Sequence, residues 1–180
     1  MSNMSWVCLM ILMTSAATAD SPLPYAGQES REIKALSQQE VSELLKGQGM
    51  GFAKAAELNG YPGPAHVLEL ALQLTLSREQ LSRTEALFQE MQEDAVRVGS
   101  ELVEAERQLD QRFSAHSVTS ASLRLSLARI AELRAELRRV HLEAHLEQYR
   151  LLSEAQVEAY RALRGYAASN AHSSGTHRHH

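Results

Sequence analysis

The chain has 180 residues, 44% of them apolar and 22% charged, which is enough for one domain with a modest core. Its net charge of −4 argues against nucleic acid as the main partner, and a single cysteine, Cys8, excludes an internal disulfide framework. With only four prolines and nine glycines, and with Ala, Leu, Glu, Gln and Arg abundant, the composition predicts an all-α fold.

Residues 1–19 have the pattern of a signal peptide. They contain no charged side chain, and the apolar run from Trp6 to Met13 is too short to span a bilayer as a helix. Small residues at 17–19 predict cleavage before Asp20, which would remove Cys8. We therefore expect a mature, cysteine-free protein that works outside the cytoplasm; the alternative is a buried N-terminal helix.

An extended arm is predicted for residues 20–36, where Pro22, Pro24 and Gly27 interrupt any periodicity. The helical domain then occupies residues 37–166. Ser37 and Glu40 have the spacing of a capping box and open a short helix. A helical turn or two is expected within 52–58, and a largely buried helix within 64–74.

Two long helices follow. The first is expected from Ser77 to about Phe113, with apolar side chains at near-heptad spacing, and Gly99 in its middle marks close approach of a neighbour. The second, over 120–151, carries one apolar stripe of Leu123, Leu127, Ile130, Leu133, Leu137, Val140 and Ala144. The short polar link between them predicts a long antiparallel hairpin with shorter flanking helices.

A last short helix is expected to open at Ser153 and run through Leu163, before a His-rich tail over 167–180 that we expect to be disordered. The hairpin arms carry complementary charge. Residues 77–114 contain nine acids and five arginines, whereas residues 120–151 contain six arginines and four glutamates. Because exposed pairs are worth only a few tenths of a kcal/mol, we expect this charge to set register rather than stability.

One pattern occurs twice, each time at the start of a helix. Its residues are Leu76, Ser77 and Gln80 in the first copy, and Leu152, Ser153 and Gln156 in the second. The paired pattern resembles the Leu-Thr-x-x-Gln signature of the Spy/CpxP family of periplasmic stress proteins, with Ser in place of Thr as the hydroxyl cap. The resemblance covers roughly residues 67–166.

The resemblance implies a helical homodimer in the periplasm that binds non-native proteins without ATP, as a chaperone or stress adaptor. It equally implies the alternative of a heavy-metal sensor or resistance protein that acts through an envelope partner. A purely structural helical adaptor stays open as a third class. No nucleophile with a base, paired catalytic carboxylates or cofactor fingerprint is present, so we do not expect an enzyme.

Five arginines of the second long helix are candidates for contact with acidic clients. The alternative is that they only solvate one helix face. They are Arg124, Arg129, Arg134, Arg138 and Arg139.

Histidines supply the candidate metal ligands, although no cofactor is required by the chaperone interpretation. His141 and His145 lie four residues apart, so they share one helix face and are spaced to chelate zinc, copper or nickel, with Glu90, Glu93 or Asp94 as a further ligand from the opposite arm. The alternative is a pair of boundary histidines without metal. The tail adds His172, His177, His179 and His180, as weak ligands or an incidental tract.

Overall fold

The computed structural model describes residues 25–166, and the chain divides into two units between Ser30 and Arg31. In the short described part of the first unit, turns are closed by a hydrogen bond from the Gln28 amide to the Tyr25 carbonyl. The described part of the second unit is helical. Residues 25–166 contain no strand, so the predicted all-α class is confirmed, and none of their helices is long and apolar enough to cross a membrane.

Six helices occur in residues 31–166, two of them much longer than the rest. Their bounds are α1 Gln38–Leu45, α2 Lys54–Glu57, α3 Pro64–Glu69, α4 Arg78–Ser114, α5 Ser120–Leu151 and α6 Glu154–Leu163. The two predicted long helices and the last short helix are confirmed to within a residue or two. Residues 31–36 precede α1 as turns and bends, and they bury Ile33 and Leu36 in the core.

The predicted helix over 64–74 is too long, because α3 ends at Glu69. Residues 70–75 form successive turns, with Thr75 at a positive φ of 49°. These turns let Leu74 pack with Val67 and Tyr160 in a small second core, whereas Leu72 is 91% exposed. A continuous helix would carry Leu74 past that core, so tertiary burial overrides the local helical periodicity.

Side-chain caps fix where the helices begin. All three predicted capping boxes are confirmed, at Ser37, Ser77 and Ser153, each with its acidic or amide partner three residues on. Thr119 and Ser122 form a fourth reciprocal pair at the start of α5. The usual sequence pattern of a capping box does not predict this pair, because Ser, rather than Glu or Gln, occupies the third position of the helix.

The main core lies between α4 and α5, which pack along their length. The start of α4 meets the end of α5, where buried Gln148 donates a hydrogen bond to Thr84 over 3.2 Å. Arg129 pairs with Glu101 and Arg134 with Glu106, so the complementary charge of the two helices is used across their contact. The α5 stripe is buried from Ile130 onward, but Leu127 is 49% exposed, contrary to the pattern.

Close contact between α1 and α4 depends on Gly99. A Cβ atom at this position would lie 2.4 Å from the Leu44 carbonyl oxygen, in the last turn of α1. The same carbonyl accepts a hydrogen bond from the Gly47 amide, so it has little freedom to move. The predicted close approach at Gly99 is confirmed, and it fixes the loop that follows α1 against α4.

We predict that Gly99→Ala destabilises the protein by about 1–3 kcal/mol, because the added methyl group must push the α1 terminus outward. In an exposed helix the same change would stabilise by about 1 kcal/mol, so the sign of the effect is diagnostic. Urea unfolding followed by circular dichroism measures it. Ser100→Ala, at the exposed neighbouring position, is the control and should change stability by about 0.5 kcal/mol or less. A stabilised Gly99→Ala protein would contradict the contact.

Candidate functional site

The two copies of the repeated motif meet in space. The Gln80 side chain donates to Gln156 Oε1 over 2.8 Å, and Gln156 donates back to Gln80 Oε1 over 3.0 Å. Gln80 also donates to the Leu151 carbonyl and Gln156 to the Leu74 carbonyl. Sequence spacing predicts each glutamine as a cap but does not reveal this reciprocal pair, which joins the start of α4 to the start of α6.

A cavity of about 440 Å³, here called the histidine cavity, lies beside the C-terminal half of α5. Its walls come from the glycine-rich loop after α1, from α2, from the start of α3, and from the facing sides of α4 and α5. Its functional side chains are Glu57, His66, His141, His145, Met50 and Met91. Apolar atoms make up most of the wall, and Lys46 and Lys54 are among the residues that line it.

His145 is buried and held in one orientation. Its Nδ1 lies 2.8 Å from the Tyr61 carbonyl oxygen. Because a carbonyl only accepts, Nδ1 carries the proton, and Nε2 is left with its lone pair. The ring packs so closely on Gly63 that a Cβ there would lie 2.8 Å from Nε2. Burial lowers the pKa of His145, and the Tyr61 hydrogen bond and the Glu57 charge oppose that effect.

His141 lies one turn earlier on α5 and is only 3% exposed. Its ring stacks on Phe52, with centroids 5.8 Å apart and planes within 8°. Burial, with a smaller contribution from His145, lowers the pKa of His141 to about 4, so the imidazole is neutral at physiological pH. Its Nε2 is buried and has no hydrogen-bond partner within residues 25–166. A buried polar atom that is left without a partner lowers the stability of the fold by about 1–3 kcal/mol.

Glu57 connects α2 to α6 and to the residues that follow α6. Its Oε1 accepts hydrogen bonds from the Tyr160 hydroxyl at 2.5 Å and the Tyr166 hydroxyl at 3.1 Å. Burial, followed by the hydrogen bond to Glu57, raises the pKa of Tyr160, which therefore stays a donor. His66 Nδ1 lies 3.6 Å from Glu57 Oε1, and His66 Nε2 lies 3.4 Å from an Arg164 nitrogen. Sequence reasoning missed this cluster because its members are spread over 110 residues.

The carboxylate beside the histidine pair is not the predicted one. Glu57 Oε2 lies 3.7 Å from His145 Nδ1, whereas Glu90 and Asp94 line a separate surface groove with Arg139. Within the described part of the chain, no group of three or more His, Cys, Asp or Glu side chains is arranged to hold a metal ion. The tail histidines His172, His177, His179 and His180 lie outside the described residues.

The five candidate arginines fall into two groups. Arg129, Arg134 and Arg139 form ion pairs with glutamates of α4 or α5. Arg124 and Arg138 are exposed and make no ion pair with any residue between 25 and 166. Among the five candidates, only these two therefore have no ion-pair partner in the described part of the chain.

Comparison with known proteins gives no relative from which a role could be carried over. No family model, no curated protein and no solved structure matches the chain. The residues of the histidine cavity and the exposed face of α5 are therefore the basis for a functional proposal.

We predict that stability falls as the pH drops from about 6.5 toward about 4. The folded-state pKa of His141 lies below its ordinary value, so the unfolded chain takes up a proton that the fold resists. The contribution of neutral His141 to the free energy of unfolding is complete above pH 6.5 and about 2 kcal/mol smaller near pH 5. Urea midpoints at several pH values measure the loss.

His141→Phe keeps a ring on Phe52 and should reduce the acid sensitivity, and the part that remains is assigned to His145, whose pKa is also lowered by burial. His116→Ala, in the exposed link between α4 and α5, is the control and should leave the pH profile unchanged. An identical acid loss in His141→Phe and the parent protein would show that His141 does not titrate as described.

Proposed function

We propose that this protein is an exported, periplasmic chaperone or stress adaptor that binds non-native proteins without ATP. The observation that carries the proposal is an exposed surface on α5 that combines large apolar side chains with unpaired arginines. We call it the outer face of α5 and define it by Arg124, Leu125, Arg138, Leu146 and Tyr149.

The outer face of α5 points away from the main core. Leu125 is 74% exposed, and Leu146 and Tyr149 are more than two-fifths exposed. Between Arg124 and Tyr149 the helix extends about 37 Å, at 1.5 Å per residue. Apolar side chains interspersed with free arginines favour weak, adaptable contact with exposed apolar and acidic segments of an unfolded chain.

The repeated motif supports the same assignment. The Gln80–Gln156 pair gives both copies a shared structural role, beyond the generic cap that either copy would supply alone. We therefore propose a Spy/CpxP-like fold in which α4 and α5 form the long antiparallel hairpin and the short helices flank it. We further propose that a second copy of the chain, or an envelope stress sensor, is a stable partner.

The test is light scattering from a denatured client diluted into buffer with EDTA and without ATP. We expect the protein to suppress aggregation, and Leu125→Gln/Leu146→Gln to weaken that suppression, since both side chains are exposed and their loss should leave the fold intact. Leu72→Gln changes a still more exposed leucine outside α5 and is the control. Aggregation unaffected by the parent protein would rule out the chaperone function.

A second candidate function, binding of a heavy metal by a sensor or resistance protein, is favoured by the histidine cavity. His141 and His145 enter it from successive turns of α5, and both are buried and neutral. Two imidazoles on one helix face are spaced to chelate one ion of zinc, copper or nickel.

Metal titration of the full chain separates the cavity from the tail. We expect one ion to bind per chain after His172, His177, His179 and His180 are all changed to Asn. His141→Ala/His145→Ala in that background should abolish binding, whereas His116→Ala should not. Binding that disappears with the tail histidines would assign the metal to the tail and reject the cavity.

A further inference from the structure

Most of the thioether and imidazole side chains in residues 25–166 belong to residues that line one cavity. Residues 25–166 contain two methionines and four histidines. Both methionines, Met50 and Met91, and three of the histidines line the histidine cavity. Met50 comes from the glycine-rich loop and Met91 from α4, so these residues lie on walls different from the one that bears His141 and His145.

Most of the available donors in this cavity are uncharged. Glu57 Oε1 accepts from two tyrosines, whereas Glu57 Oε2 lies 3.7 Å from His145 Nδ1 and has no hydrogen-bond partner within residues 25–166. His66 is engaged at both ring nitrogens. Besides the Glu57 carboxylate oxygen, the donors that remain are the nitrogen lone pairs of two neutral imidazoles and the sulfur atoms of two thioethers.

The mostly apolar wall of the cavity favours an ion of low charge. The desolvation cost of an ion rises with the square of its charge, so a monocation pays about one quarter of the cost of a dication of equal size. Lys46 and Lys54, which also line the cavity, increase this preference, because their repulsion grows with the charge of the ion. Thioether sulfur selects Cu(I) among the biological metals, and imidazole also suits copper.

Two features indicate a built site. The His141 Nε2 atom is buried without a partner within residues 25–166, which is costly unless a ligand uses it. The His145 ring is fixed by the Tyr61 carbonyl, and a backbone acceptor on the second nitrogen is the usual support of a histidine that ligates metal. Gly63 leaves just enough room for that ring.

We infer that the histidine cavity binds monovalent copper through His141, His145 and the thioethers of Met50 and Met91. This inference rests on the second proposed function, metal binding in the cavity, and it adds the identity of the ion and the sulfur ligands. It requires no redox step, because the ion is bound and released as Cu(I).

The test uses a background variant of the full chain with Cys8→Ser and with His172, His177, His179 and His180 changed to Asn, so that neither terminus supplies a thiol or an imidazole. Cu(I) is titrated against the chromogenic chelator bicinchoninate in the absence of oxygen. We expect one Cu(I) per chain, with sulfur neighbours visible in copper X-ray absorption spectra.

Met50→Leu/Met91→Leu conserves side-chain volume and should leave the fold intact. It should weaken Cu(I) binding by about a hundredfold, since even loss of an outer-shell partner costs about 10–100-fold, and it should remove the sulfur scattering. Zinc binding should be unchanged. Gly63→Ala should displace the His145 ring and weaken binding of both metals, whereas His116→Ala, in the exposed link, should affect neither.

The possible failures are distinguishable. If zinc or nickel binds through His141 and His145 while Cu(I) binds equally well without the methionines, the metal function stands and the copper inference is wrong. If the background variant binds none of these ions, both the second proposed function and this inference are overturned. A copper spectrum without sulfur neighbours also overturns the inference, whatever the affinity.

Discussion

The arrangement of α2 relative to α6 depends on the hydrogen bonds that the buried carboxylate of Glu57 accepts. This carboxylate accepts from two tyrosines, Tyr160 in α6 and Tyr166 just after it, and so fastens α2 to the C-terminal part of the described chain. The chain leaves α2 through Tyr61, whose carbonyl orients His145. A hydrogen bond to a charged group is worth about 1.5–3 kcal/mol, so these contacts are strong enough to position the short helices. The short α2, only four residues long, has no stability of its own to do so.

Four buried side-chain atoms of residues 25–166 have no hydrogen-bond partner, and they are Glu57 Oε2, His141 Nε2, Gln148 Oε1 and Arg164 Nε. Glu57 and His141 both line the histidine cavity. Stacking on Phe52 holds the His141 ring in place without using its Nε2 nitrogen. Such a group is retained at a cost in stability, and a ligand that uses the nitrogen would recover it. This is the physical link between the fold and the proposed metal function.

The sequence was sufficient for the parts of the fold that depend on local chemistry. Hydroxyl caps located the starts of α1, α4 and α6, and periodicity located the buried seam of the long helices. The sequence was not sufficient where contacts between residues far apart in the chain determine the local structure. The turns after Glu69 form because Leu74 reaches Tyr160, and Glu57, His66 and His145 meet although they are far apart in the chain. No local pattern encodes either arrangement, so the candidate site was predictable only as the pair His141 and His145.

The two proposed functions use different sides of one helix. His141 and His145 lie on the buried side of α5, whereas Arg138, Leu146 and Tyr149 are exposed. Tyr149 nevertheless packs against Tyr61, with ring centroids 4.8 Å apart, and Tyr61 is the residue whose carbonyl holds His145. A ligand that moves the His145 ring therefore acts on the same backbone segment that supports Tyr149. Metal in the cavity and a client on the outer face would be coupled through this one residue, so their binding free energies would not be independent.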